Sequence, residues 1–175
     1  MSETTPDVTL DEAAPESTSE TLHDAPVSWS RGQQVVHTTP DAYLALVASL
    51  KGDGFNTCMD VTAVDRLGAP AVDVPDSIEA ARFEVVVNLL SHADHRRIRV
   101  RVYVPTGVAV PSLFDLFPGV EAMEREVYDM FGIAFADHPD LTRILMPEEW
   151  EGHPLRKDYV MGRVPVQFKD APAPR

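Results

Sequence analysis

The sequence predicts an α+β fold: a two-layer domain with a mixed sheet and helices on one face, plus an extended C-terminal arm. Three observations predict it. The run "RFEVVVNLLSHADHRRIRVRVYVP" alternates apolar residues on both sides of a short turn, the pattern of an antiparallel hairpin with one buried face. Two other segments carry helix punctuation, Thr39-Pro40 at the start of one and Gly132 at the end of the other. Beyond residue 135, proline, glycine and charge replace any periodic pattern.

A chain of 175 residues suits one domain with a real core and a tail. Residues 1–27 read as a disordered acidic tail. Glu3, Asp7, Asp11, Glu12, Glu16, Glu20 and Asp24 stand there without a lysine or arginine, which is −7 of the chain's net −13. Such a segment buries too little apolar area to offset the entropy of ordering it. Order is expected near Trp29, and residues 28–135 form the α+β core domain.

A helix follows Thr39 as N-cap, with Pro40 at its first position and Asp41 in its first turn. Tyr43, Leu44, Leu46, Val47 and Leu50 make its apolar face, and Gly52 and Gly54 end it. "FNTCMDVTAVD" reads as a strand, and residues 66–81 as a long loop with proline and glycine. In the hairpin, Phe83, Val85, Val87 and Leu89 alternate on one strand, and Ile98, Val100, Val102 and Val104 on the other. Arg97, Arg99, Arg101 and Tyr103 lie between, and a solvated sheet face is the simpler reading of the arginines. "VPSLFDLFPGVEAMEREVYDMFG" reads as two short helices split at Pro118-Gly119, the second from about Val120 to Phe131. "HPDL" is a turn, "TRILM" a short strand, and residues 136–175 together an extended interaction arm.

The chemistry-bearing residues are sparse. Cys58 is the one cysteine, so an internal disulfide or a thiolate-held zinc or iron–sulfur site is excluded, and a small buried apolar role is expected. His92 and His95 flank the hairpin turn with Asp94, but no further ligand is placed near them, and turn histidines are ordinarily exposed. Glu124 and Glu126 lie about 200° apart on a helix and do not converge as a general acid–base pair would. Glu121, Arg125 and Asp129 are spaced i, i+4, which reads as an exposed Glu–Arg–Asp ladder worth about 0.3–0.5 kcal/mol per pair. Val120, Met123, Val127, Met130 and Phe131 would form the opposite, packing stripe. His138 and His153 each precede a proline and look like turn residues. No nucleophile elbow, phosphate-binding loop or dinucleotide fingerprint occurs. No apolar run is long enough to span a bilayer. Without a secretory signal pattern at the start, the cytosolic side is expected. Nothing basic enough to track a phosphate backbone stands out, which argues against nucleic acid.

The stretch "EREVYDMFGIAFADHPDLTRILMPEEWEGHPLRKDYV" closely resembles the signature of the 30 kDa subunit family of respiratory complex I, the C-type subunits of the bacterial NADH:quinone oxidoreductases. The matching runs are Glu124-Arg125-Glu126, Asp129, Phe131-Gly132-Ile133, His138-Pro139-Asp140-Leu141, Arg143-Ile144-Leu145 and Gly152 to Tyr159. Thr142, Val160 and Ala122 depart from the family's usual residues, and the first 26 residues lie outside the resemblance.

The resemblance implies a peripheral-arm subunit at the cytoplasmic side of the cell membrane. Such a subunit binds no cofactor itself and has no catalytic or metal site. It would scaffold electron transfer from NADH through FMN and iron–sulfur clusters to quinone, coupled to proton translocation. Its implied partners are the large D-type subunit, which helps form the quinone pocket, and the iron–sulfur subunits. Interface or structural roles are implied for Glu124, Arg125, Glu126, Asp129, Gly132, His138, Asp140, Arg143, His153, Arg156, Lys157, Asp158 and Tyr159. Related subunits also occur in membrane-bound hydrogenases and in quinone oxidoreductases with other donors. A rival of a different class is a stand-alone hydrolase using Glu126 and Asp129.

Overall fold

A computed structural model describes residues 20–69 and 74–160. Six strands form one mixed sheet: β1 (Thr21–Leu22), β2 (Ala25–Ser30), β3 (Gln33–Thr38), β4 (Thr57–Asp65), β5 (Phe83–Ser91) and β6 (Arg96–Val104), in the order β1-β2-β3-β6-β5-β4. Among the described strands of this sheet only β3 and β6 run parallel, because helix α1 (Pro40–Gly52) begins the crossover out of β3. The hairpin of β5 and β6 pairs Val87 with Val100, which puts the alternating apolar residues of both strands on one face. One row crosses four strands as Val36, Val100, Val87 and Val61, none more than 4% exposed. Burial of each valine contributes about 1.5–3 kcal/mol relative to exposure.

Both helices join the core cluster that contains this row. Tyr43, Leu46, Val47 and Leu50 come from α1, and Val127, Met130 and Phe131 from α2 (Glu121–Phe131). Leu44, expected on the inner face of α1, is 40% exposed. A two-strand parallel pair, β7 (Val110–Pro111) with β8 (Phe135–Ala136), brackets α2. Gly132 ends α2 at φ 72°, and its N–H bonds the Tyr128 carbonyl. That left-handed conformation strains any residue with a Cβ.

Four local expectations are corrected. Residues 20–27 are paired rather than part of a tail: the Val27 N–H bonds the Glu20 carbonyl, and Leu22 packs on the core. Their acid content hid strands β1 and β2. Residues 113–117 form one turn, not a helix. Both Leu116 and Phe117 donate to the Leu113 carbonyl, and a 3-10 turn at Pro118–Val120 leads into α2. "TRILM" is not a strand, because its successive N–H groups converge on one carboxylate oxygen, whereas a strand alternates them. Residues 136–160 do not reach away from the domain but fold back on α2, β4 and β5 through the contacts described below. Residues 161–175 of the expected arm, and residues 1–19 of the tail, lie outside the described residues.

Candidate functional site at the end of helix α2

Helix α2 places two carboxylates inward. Glu124 is fully buried, where it accepts bonds from Ser112 Oγ at 2.6 Å and the Leu113 N–H at 2.8 Å. Burial raises its pKa above the ordinary glutamate value, and these donors, with His138, counter only part of that rise. His138 Nε2 stands 3.9 Å from its Oε2 and 3.1 Å from the Glu121 carbonyl. His138 Nδ1 accepts the Asp140 N–H, so the proton of the neutral ring belongs on Nε2, aimed at Glu121. The turn at "HPD" is thereby pinned to the first turn of α2.

Asp129 is also fully buried. Oδ1 pairs with Arg143 Nη1 at 2.6 Å, and Oδ2 accepts the N–H groups of Ile144, Leu145 and Met146 at 3.1, 2.8 and 2.8 Å. Burial alone would raise its pKa; the three amides and the guanidinium overcome that and hold it low. The predicted Glu121–Arg125–Asp129 ladder does not form. Arg125 instead donates to the Thr142 carbonyl and hydroxyl and to the Arg143 carbonyl. Glu126 is exposed while Asp129 is sealed, so the pair considered for hydrolysis does not share an open face.

The end of α2 is capped from far along the chain. His153 Nδ1 bonds the Asp129 carbonyl at 2.9 Å, and the Leu155 N–H bonds the Met130 carbonyl at 3.0 Å. Last-turn carbonyls have no partner within their own helix, so these contacts satisfy acceptors that would otherwise need water. A Cβ at Gly132 would lie 2.6 Å from the His153 ring, so this position is glycine for space as well as for φ. Arg143 Nη2 reaches the Gly152 carbonyl, and a Cβ at Gly152 would lie 2.9 Å from the Tyr159 ring.

The arm continues onto the strand ends. Asp65 is 3% exposed and takes Arg82 through both oxygens, together with the N–H groups of Leu67 and Lys157. Burial raises its pKa, but Arg82 and the two amides outweigh that and lower it to about 2. Arg82 also pairs with Asp158 at 2.8 Å, and Arg156 lies 3.4 Å from the same carboxylate. The guanidiniums of Arg82 and Arg156 both sit over the Phe83 ring, at 4.8 and 5.3 Å. Glu84, 3% exposed, holds Arg66 and Arg101, while Arg99 bonds Asn88 and Gln33, so these arginines are not simply solvated.

Thus Glu124, Arg125, Asp129, Gly132, His138, Arg143 and His153 converge on α2, whereas Arg156, Lys157 and Asp158 converge on the end of β4 and β5. Glu126 stays outside both groups. Sequence reasoning missed Asp65, Arg82, Glu84 and Ser112. The signal available was a charge at each strand end, with Asp65 closing β4 and Arg82 preceding β5. Cys58 is half-buried rather than sealed, and burial pushes its thiol up to about 11, far from a reactive thiolate. Among the described residues no group of three or more His, Cys, Asp or Glu could hold a metal ion, and no helix is long and apolar enough to cross a membrane.

Comparison with known proteins follows the same segments. Residues 36–164 match the family described as "Respiratory-chain NADH dehydrogenase, 30 Kd subunit". The C-type subunit of the NADH-quinone oxidoreductase of Salinispora tropica is 40% identical over 148 residues, 82% of this chain and 57% of that protein. The C-type subunit from Roseiflexus castenholzii is 43% identical over 142 residues, 79% and 76% of the two chains. NADH-quinone oxidoreductase subunit 5 of Thermus thermophilus is 43% identical over 130 residues, 71% and 60%. This chain therefore spans little more than half the length of the Salinispora relative. A solved structure, the trypsin-resistant fragment 1–134 of Nqo5, superposes with a TM-score of 0.59 at 35% identity, covering 67% of this chain and 89% of that one.

Proposed function

Because the chain belongs to the respiratory-chain NADH dehydrogenase 30 kDa subunit family, we propose that it is the C-type subunit of an NADH:quinone oxidoreductase, a member without redox chemistry of its own. The observation that carries this reading is the use made of the charged residues at α2. Glu124 and Asp129 are spent on backbone amides and on neighbouring side chains rather than aimed into a cleft. What that framework presents outward is apolar: Ile144, Leu145 and Leu155 are 42%, 55% and 53% exposed. A contact role fits such a surface better than catalysis.

In this reading the flavin, the iron–sulfur clusters and the sites for NADH and quinone belong to other chains. The partners are the large quinone-pocket subunit and the cluster-bearing subunits beside it, at the cytoplasmic face of the membrane. The chain's work is positional. Electron transfer and coupled proton translocation depend on the spacing of redox centres, and a rigid wedge between subunits holds that spacing.

The test is native electrophoresis of detergent-solubilised membranes from cells carrying a tagged copy of the chain, with in-gel NADH oxidation. The expected result is migration of the chain within a large NADH-oxidising band, and loss of that band when the chain is deleted. A chain found wholly as a soluble species of low mass, with the NADH-oxidising band intact without it, would overturn the reading.

A further inference from the structure

We propose that Ile144, Leu145 and Leu155 form a docking face for a partner protein surface that is apolar at its centre and edged by lysine or arginine. This rests on the reading of the chain as one member of a larger assembly.

The three residues come from two separate segments brought to one place. The N–H groups of Ile144 and Leu145 are held by Asp129 Oδ2, and the Leu155 N–H by the Met130 carbonyl, one residue further along α2. Arg143 ties the segments again through Asp129 and the Gly152 carbonyl. Each side chain is about half exposed although its own backbone is pinned to a buried helix end. Fixed backbone carrying exposed aliphatic side chains costs little ordering entropy when a partner covers it.

The border of the face selects the partner's charge. Glu148, Glu149 and Glu151 lie between the two segments, are exposed, and form no ion pair or hydrogen bond among the described residues. On the same stretch Arg143 is paired with Asp129 and Arg156 with Asp158, which leaves Lys157 as the one exposed base against three exposed glutamates. An acidic border disfavours an anionic membrane surface. It also disfavours a second copy of this chain, which would bring acid against acid with −13 on each molecule. A cationic edge around an apolar centre satisfies both features.

Three forms of the full chain are compared in cells lacking the native copy: wild type, Leu145→Asp with Leu155→Asp, and Glu148→Lys with Glu149→Lys and Glu151→Lys. The share of chain in the large assembly is read on native gels, and the purified chains are checked for an unchanged thermal midpoint. Leu145→Ser with Leu155→Ser replaces the aspartate pair if that pair lowers the midpoint. Carbodiimide coupling of the wild-type assembly reports which amines touch the three glutamates. We expect a fall of about ten-fold or more in incorporation for both sets, and glutamate links to lysines of a different chain. Wild-type incorporation of folded variants, while the wild-type chain is in the assembly, overturns the docking face and leaves the family role standing. Absence of the wild-type chain from any large assembly overturns both. Links solely to a second copy of this chain, or sedimentation of the purified chain with phosphatidylserine vesicles that the aspartate pair abolishes, overturn the proposal in favour of those occupants.

Discussion

Arg143 Nη1 and Asp129 Oδ1 meet at 2.6 Å, and the second oxygen of the same carboxylate gathers three consecutive backbone amides. One side chain therefore neutralises a cation and shapes the loop after it. The pair is a buried one, with the carboxylate fully covered and the guanidinium mostly so.

Removing one member of such a pair leaves the other without compensation. Asp129→Ala is expected to cost about 3–5 kcal/mol, read as a lower urea midpoint. Asp129→Asn recovers little, because its amide nitrogen would face the Arg143 guanidinium if its oxygen keeps the three N–H groups. An asparagine variant as stable as wild type would show that the ionic component contributes nothing.

At Gly132 two penalties coincide. A φ of 72° costs a residue with a Cβ about 1–2 kcal/mol, and the added carbon collides with His153. Gly132→Ala should lower the thermal midpoint, and its penalty should shrink when His153→Ala is already present. Strict additivity of the two substitutions would separate the glycine from the histidine.

Acid sensitivity should centre on Asp65. Its pKa falls from 3.8 to about 2 on folding. A depressed carboxylate stabilises the fold above its unfolded value, and that stability drains as pH drops from about 4 to 2, worth about 2 kcal/mol. Asp65→Asn should be less stable at neutral pH and lose less on acidification. Equal slopes for the variant and wild type between pH 4 and 2 would remove Asp65 from the acid limb.

Glu124 has the opposite sign. Its pKa is raised from 4.5, so the folded state holds a proton that the unfolded chain has released. Its contribution is complete below pH 4.5 and declines as pH rises through the folded value. Glu124→Gln keeps an acceptor for Ser112 and Leu113 while removing the titration. The variant's midpoint should therefore decline less than wild type's as pH is raised from 4.5, and an unaltered profile would contradict this.

The β5–β6 hairpin was readable because it obeys a period of two with no competing signal, whereas β3, which pairs with β6 in parallel, was not read from the sequence. Helix α1 was readable from Thr39-Pro40 and its apolar face, and the stop of α2 from Gly132. The charged site was legible as a set of residues but not as an arrangement. Spacing on a helix offers Arg125 to Asp129, and nothing local reveals that Asp129 turns inward to a guanidinium 14 residues away and to amides 15 to 17 residues away. Strands β1 and β2 were hidden because pairing of β1 with β2, and of β2 with β3, overrides the polar composition of residues 20–30. Residues 136–160, expected within an extended arm, lie against the domain because their donors match orphan carbonyls of α2 and a carboxylate at the end of β4, a match between distant segments that no sequence window contains.

The bond from the Lys157 N–H to Asp65 spans 92 positions. During synthesis at about 5–20 residues per second, Asp65 is made on the order of 5–20 s before its last donor exists. Until then the end of β4 lacks that donor, while the last-turn carbonyls of α2 wait only the shorter interval to His153 and Leu155. The contacts that tie residues 153–157 to α2 and β4 therefore form last, after both elements have been made.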